Sequence, residues 1–281
     1  MKNNTFLVFG LALLVIVGLY LFLPTKTNKR DTGTTVLTSQ TTLEQYRYNF
    51  INKQADSTKL LLNQIETKIS EASDSLNSVS ALTAGIEEYT KLQAPEVAAL
   101  LVFKKASYIK NTNSWELTGD NFLSLLSDPR LDTHLINDVS KHAIQSFEKS
   151  ITLDSNNVGS KMKLAQCFME LSNKPMDGVQ LLLGIAKKDP KNIEAQLLLA
   201  KFGLVSGQLE KVNQRLENVL SLQPQNTEAL LMRAEVHARS NQFELAAKDL
   251  TTVKIYSKTP QPMKEQLEVA IQDLKSRAKA K

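Results

Sequence analysis

From residue 193 onward, the apolar and small positions of the chain recur 34 residues later. Ala195 is matched by Ala229, Ala200 by Ala234, Leu216 by Leu250 and Val219 by Val253. Val212, Leu216 and Val219 fall four and three apart, which is the period of one helix face. Polar breaks separate the stretches: Asp154-Ser155-Asn156-Asn157, Asp189-Pro190-Lys191-Asn192 and Gln223-Pro224-Gln225-Asn226. Pro190 and Pro224 stand where a preceding helix cannot continue its hydrogen bonds. A shorter break divides each stretch at Ser206-Gly207-Gln208 and Ser240-Asn241-Gln242, and Gly or Asn suits a left-handed helix end. The pattern predicts helix–turn–helix units at 193–226 and 227–260. Each is too small to bury its apolar face alone, so the units must stack.

The rhythm weakens toward the N-terminus. A unit at 158–192 carries Leu164-Ala165, Phe168, Gly178 and Leu182, with one extra residue in its turn. A unit at 112–157 carries Trp115, Gly119 and Phe122, then His142-Ala143-Ile144-Gln145-Ser146-Phe147. Phe122 and Phe168 are 46 residues apart instead of 34, which places an insertion within Ser127 to Asp138. Inserted loops in repeat arrays often sit on one face and serve function. A degenerate unit at 79–111 contains Tyr89, Pro95, Ala98 and Ala99. Residues 261–281 hold a polar-faced capping helix, Met263 to Arg277, of the kind such arrays need for solubility.

Ahead of the units the pattern changes twice. Phe6 to Leu23 is an uncharged apolar run of 18 residues, just long enough to span a bilayer. With Pro24 it forms an expected single-pass anchor at 6–24, behind a short tail at 1–5. No small-residue cleavage site follows it. Basic residues balance across the run, so charge does not orient it. A short leading tail favours the remainder lying outside the cytoplasmic membrane. Residues 25–40 are polar and Thr-rich and read as a linker. Thr41 to Leu76 then shows a heptad seam (Tyr48, Ile51, Ala55, Thr58, Leu62, Ile65, Ile69, Ala72, Leu76), predicting one long helix at 41–78. The seam could pair two chains as a homodimer or fold back on the first unit.

The units resemble the tetratricopeptide repeat family. Leu199-Ala200, Val212, Leu216, Val219 and Pro224 fill the family's places in one unit, and Leu230, Ala234, Ala246, Leu250 and Val253 in the next. The whole plan is also similar to single-anchor repeat proteins of the bacterial envelope, including those of Bacteroidota. The resemblance implies an all-α fold: a transmembrane helix, a spacer helix, and a solenoid of four to five hairpins with a cap. It implies a scaffold that binds protein partners in a groove lined by the first helices. Here that groove should include Met162, Gln166, Met169, Leu197, Lys201, Leu204, Leu231, Glu235 and Ala238. The mixed, partly apolar set suits an amphipathic segment and not the family's basic clamp for carboxylate tails.

Chemistry is sparse. No phosphate loop, nucleophile elbow, zinc-protease or paired-cysteine motif occurs, so neither an enzyme nor a bound cofactor is expected. His134, Asp138 and His142 are spaced four apart and would share a helix face. That spacing could hold a divalent metal, but a polar helix face beside a loop is the plainer reading, so no metal site is assigned. Lys and Arg are interspersed with Asp and Glu at a net charge of +5, which gives no nucleic-acid stripe. The single cysteine, Cys167, sits in an apolar stretch and reads as core.

Overall fold

The computed structural model describes residues 41–256 and 261–280, and over these the chain is all-α. Thirteen α-helices are present among the described residues. They are α1 (Leu43–Asn52), α2 (Asp56–Glu71), α3 (Ser75–Lys91), α4 (Pro95–Ile109), α5 (Thr112–Ser127), α6 (Ile136–Leu153), α7 (Val158–Leu171), α8 (Pro175–Lys188), α9 (Ile193–Val205), α10 (Leu209–Leu222), α11 (Thr227–Arg239), α12 (Phe243–Tyr256) and α13 (Gln261–Lys279). The chain divides into two compact units at Gly178/Val179, so that α8 crosses the division. The expected tail, anchor and linker at 1–5, 6–24 and 25–40 lie outside the described residues. Among the described residues no helix is long and apolar enough to cross a membrane.

In the C-terminal unit, α9 pairs with α10, α11 with α12, and α13 packs on α12 as the cap. One aliphatic core joins them, from Leu204, Val212 and Leu216 through Leu231, Met232 and Leu250 to Leu267 and Ile271. The 34-residue echo has a direct physical cause. Asn192 and Asn226 are helix N-caps whose side chains accept from Ala195 N at 2.9 Å and Ala229 N at 2.9 Å. Their own N–H groups close turns onto Asp189 O and Gln223 O. The echo is therefore a turn and a cap that end one hairpin and start the next. Between paired helices, Gly207 (φ 73) and Asn241 (φ 59) adopt the left-handed conformation. Gln208 N then donates to Gly203 O, and Gln242 N to His237 O, which satisfies helix-end carbonyls.

In the N-terminal unit, α3 pairs with α4 and α5 with α6, and α7 packs on α6. Asn157 caps α7 as Asn192 and Asn226 cap α9 and α11. The α3–α4 turn repeats the left-handed geometry at Gln93 (φ 55), with Ala94 N donating to Tyr89 O. The extra residue of the 158–192 unit falls between α7 and α8, where Ser172 is extended instead of left-handed.

The expected single helix over 41–78 is corrected: it is broken twice. Chain direction changes at Lys53–Ala55, where Ala55 is extended (φ -61, ψ 152), and again at Ala72–Asp74. The seam is weak at Ala55, Thr58 and Ala72, and its stronger members find better partners inside the chain. Ile51, Leu62 and Ile65 are buried with Tyr89, Val97 and Leu101. α1 lies on α4, and α2 on α3. Tyr48 and Leu76 point to solvent, so no continuous apolar stripe remains for a coiled coil.

The insertion is used for length and for holding α1. α5 and α6 have 16 and 18 residues against 13 and 14 in α9 and α10. Leu131 and Leu135 of the connecting segment are buried. Asp138 Oδ2 accepts from Leu43 N at 2.9 Å and so caps the first turn of α1.

Candidate functional site

The first helices of the C-terminal unit, α9 and α11, pack side by side and carry the expected groove positions in register. Glu194, Leu197, Lys201, Leu204 and Val205 on α9 correspond to Glu228, Leu231, Glu235, Ala238 and Arg239 on α11, each 34 residues on. The structure divides this set by depth. Leu197, Leu204 and Leu231 sink into the core, and Leu231 is 0% exposed. Glu235 is also buried; it pairs with Arg239, which in turn donates to Leu204 O at 2.9 Å and ties α11 to the end of α9. Lys201 and Ala238 are half-buried, while Glu194, Glu228 and Val205 reach solvent, Val205 at 81% exposure.

The apolar share of the expected groove thus goes largely into joining α9 to α11. What solvent meets is a strip of Glu194, Lys201, Val205 and Glu228. Glu194, Glu228, Val205 and Arg239 were not among the expected groove residues, although the same period that selected Leu197 and Leu231 marks them too.

Electrostatics sharpen the strip. Burial pushes the Glu228 carboxyl above its ordinary range; Lys201 opposes the shift and Glu194 adds to it. Burial raises Glu235 likewise, against the opposing pull of Arg239. Behind the strip, Asp249 of α12 accepts two bonds from the Arg233 guanidinium, at 2.9 and 2.7 Å, a bidentate clamp of the hairpin.

In the N-terminal unit, Met162, Gln166 and Met169 are all half-buried on α7. Met169 lies against α8, where a Cβ on Gly178 would stand 2.8 Å from its Cγ. Beside them Lys163 Nζ donates to Asp120 Oδ2 at 2.9 Å and Glu116 Oε1 at 3.2 Å. Burial acts to raise the Glu116 carboxyl, but the bonds from Asn157 and Lys163 outweigh it and leave it lowered. This face is an internally paired ionic cluster.

The shared helix face expected of His134, Asp138 and His142 does not form. His134 belongs to the 3-10 turn Thr133–Leu135, off the helix that carries Asp138 and His142. Asp138 is engaged by Leu43 N, and His142 Nδ1 lies 2.8 Å from Asp138 O. The His142 ring stacks edge-on against Phe103, 4.8 Å between centroids. Among the described residues no group of three His, Cys, Asp or Glu could hold a metal ion. Cys167 is buried and its thiol is pushed up to about 12 by burial, with Glu170 adding, which makes it a poor nucleophile.

No protein-family model and no curated protein sequence matches the chain. Solved structures do match its fold. The chain is similar to PilW, described as a widely conserved type IV pilus biogenesis factor. That match has a TM-score of 0.52 at 18% identity and covers 72% of this chain and 88% of that one. It is similar also to a tetratricopeptide repeat protein from Parabacteroides merdae. There the TM-score is 0.50 at 14% identity, covering 84% of this chain and 91% of that one. Together with the hairpins, caps and turns above, these likenesses place the chain among tetratricopeptide-type helical repeat folds.

Proposed function

We propose that this protein is a membrane-tethered, non-enzymatic adaptor that binds protein partners through the first-helix face of its repeats. The observation that carries the reading is the division by depth on α9 and α11. Burying Leu197, Leu204 and Leu231 builds the scaffold, and two positions on the same face, Glu194/Glu228 and Val205/Arg239, stay accessible 34 residues apart. Repeat arrays use such regularly spaced surfaces for recognition. The tether is the uncharged run Phe6 to Leu23, with the repeats outside a bacterial cytoplasmic membrane and serving an envelope assembly. The alternative, a structural oligomer built on 41–78, has less support because that seam is spent on intrachain packing.

The test is co-purification from detergent-solubilised membranes. Full-length chain is compared with a Lys201→Glu/Val205→Glu variant whose melting temperature is unchanged. Loss of co-purified proteins is expected, and retention of the same set at the same yield would overturn the reading. Protease protection of intact cells and spheroplasts tests the tether separately. Repeats digested only when the outer face of the membrane is reached support it, and repeats protected in spheroplasts do not.

A further inference from the structure

We propose that α1 is a strap: it closes over α4 and α2, and it releases as one piece while the hairpins behind it stay folded. Its use rests on the tether reading, because α1 is the first described helix after the uncharged run Phe6 to Leu23. Release adds reach between that run and the repeats. A ten-residue helix is about 15 Å long and the same residues extended span about 35 Å, a gain of about 20 Å.

α1 holds on by few contacts. Helices shorter than about 12–15 residues do not persist alone in water, so this ten-residue one depends on its neighbours. Of its residues only Leu43 and Ile51 are buried, against six on α4. Half-buried Tyr46 and Phe50 add apolar contact, with the Phe50 ring 6.0 Å from that of Tyr89. The rest of the grip is polar. Asp138 accepts from Leu43 N, Glu44 pairs with Lys104 at 2.6 Å, and Arg47 pairs with Glu44 at 2.6 Å and with Glu66. Glu66 in turn accepts from the Tyr89 hydroxyl at 2.9 Å. The chain from Lys104 to Tyr89 thus visits α4, α1, α2 and α3, and α1 supplies its Glu44 and Arg47.

These links part without stranding a charge. The side chains of Lys104 and Glu66 are 32% and 22% exposed, so water takes the place of α1 when it leaves. The closed state also carries a cost, because Arg47 Nε is buried without a hydrogen-bond partner, and release returns it to water. Behind α1, α3 meets α4 directly and α5 meets α6 directly, so neither pairing needs α1. A peripheral, sparsely buried element of this kind opens below the free energy of global unfolding.

The experiment is amide exchange on full-length protein in detergent, resolved over residues 46–52 and over α3 and α4. The α1 amides are expected to share one opening rate, at least about tenfold faster than α3 and α4. Raising salt from about 0.05 to about 1 M should speed α1 about threefold and leave α3 and α4 unchanged, because part of the grip is ionic. Glu44→Gln should speed α1 about threefold at low salt, and the variant should converge with the parent at high salt. Exchange of α1 at the rates of α3 and α4 overturns the proposal. So do rates that fall steadily along α1, which is fraying, or a Glu44→Gln effect that is equal in α1, α3 and α4. If α1 exchanges with α3 and α4, the strap falls and the tether reading is untouched. If α1 opens as expected but protease protection removes the tether, the release stands and the added reach falls.

Discussion

The two units solve one packing problem with side chains of different size. The core of the C-terminal unit is built from Leu, Val, Ala, Ile and Met. Its close helix crossing sets Gly203 against Val212, where an added Cβ would come within 2.5 Å of Cγ2. The N-terminal unit uses rings. Phe103 packs edge-on against Trp115 and Phe122, Phe50 tilts against Tyr89, and Gly119 makes room for Phe147, whose ring lies 2.5 Å from a Cβ placed there. Aliphatic residues of similar volume can be exchanged between repeats with little rearrangement, so a fixed period persists. A ring demands a specific void opposite it, so each aromatic hairpin becomes individual.

The largest expected effect tests whether these are two cores. Phe147 and Leu216 are each 0% exposed and sit at matching places on α6 and α10. Phe147→Ala should cost about 3–5 kcal/mol and Leu216→Ala about 2–5 kcal/mol. Residue-resolved amide exchange should lose protection first within the unit that carries the substitution. Uniform loss across residues 43–280 in both variants would show a single cooperative body and dissolve the distinction.

Next in size is the Gly119–Phe147 fit. Gly119→Ala should destabilise by about 1–3 kcal/mol, because the ring on the buried face has no room to retreat. Adding Phe147→Leu, which imports the C-terminal solution, should recover most of that loss in urea denaturation. A double variant no more stable than Gly119→Ala alone would mean that the ring does not set the crossing distance.

The caps compare the units on a shared device. Asn226→Ala should cost about 1 kcal/mol through its lost bond from Ala229 N, its second bond, donated to Gln223 Oε1 at 2.8 Å, being exposed to solvent. Asn157→Ala should cost more than Asn226→Ala. Its side chain accepts from Ser160 N and also donates to Glu116 at 3.2 Å, so its removal loosens the Glu116–Lys163 cluster. Equal melting temperatures for the two variants would show the cluster to be decorative.

These differences explain what the sequence reveals. The hairpins at 193–226 and 227–260 are legible because Asn192, Asn226, Gly207 and Asn241 are local signals that need no knowledge of tertiary contacts. The helical seam at 41–78 is legible as apolar spacing, but its breaks depend on what Ile51 and Leu62 meet, namely Tyr89 and Leu101. Gln93 hides a left-handed turn because glutamine does not advertise one. The groove was legible as a helix face but not by depth. Spacing selects Leu231 and Glu228 equally, and only packing decides that the first is core and the second surface. His134 and His142 share a spacing but not a helix, since the helix begins at Ile136.

The smallest effect is a response to pH that should run in opposite directions. In the N-terminal unit burial would raise both Glu44 and Glu116, yet Lys104 and Arg47 outweigh it at Glu44, and Asn157 and Lys163 at Glu116, so both are lowered from 4.5. A lowered carboxylate stabilises the fold above its unfolded value, and that contribution fades only as pH falls below 4.5. In the C-terminal unit buried Glu235 is raised from 4.5, chiefly by burial, while the same shift at Glu228 is screened because that side chain lies at the surface. The charged form of Glu235 is a cost at neutral pH, relieved as pH falls through the raised value toward 4.5. Glu268 is lowered by Lys254, but it lies at the surface, where solvent screens the pair. Acidification from pH 7 to 4.5 should therefore firm amide protection in α9 and α11 while α1 and α5 hold steady, and further acidification should loosen α1 and α5 first. Exchange rates corrected for intrinsic pH dependence provide the measurement. If α9 and α11 loosen together with α1 over the upper interval, burial of Glu235 is not a cost that the C-terminal unit carries.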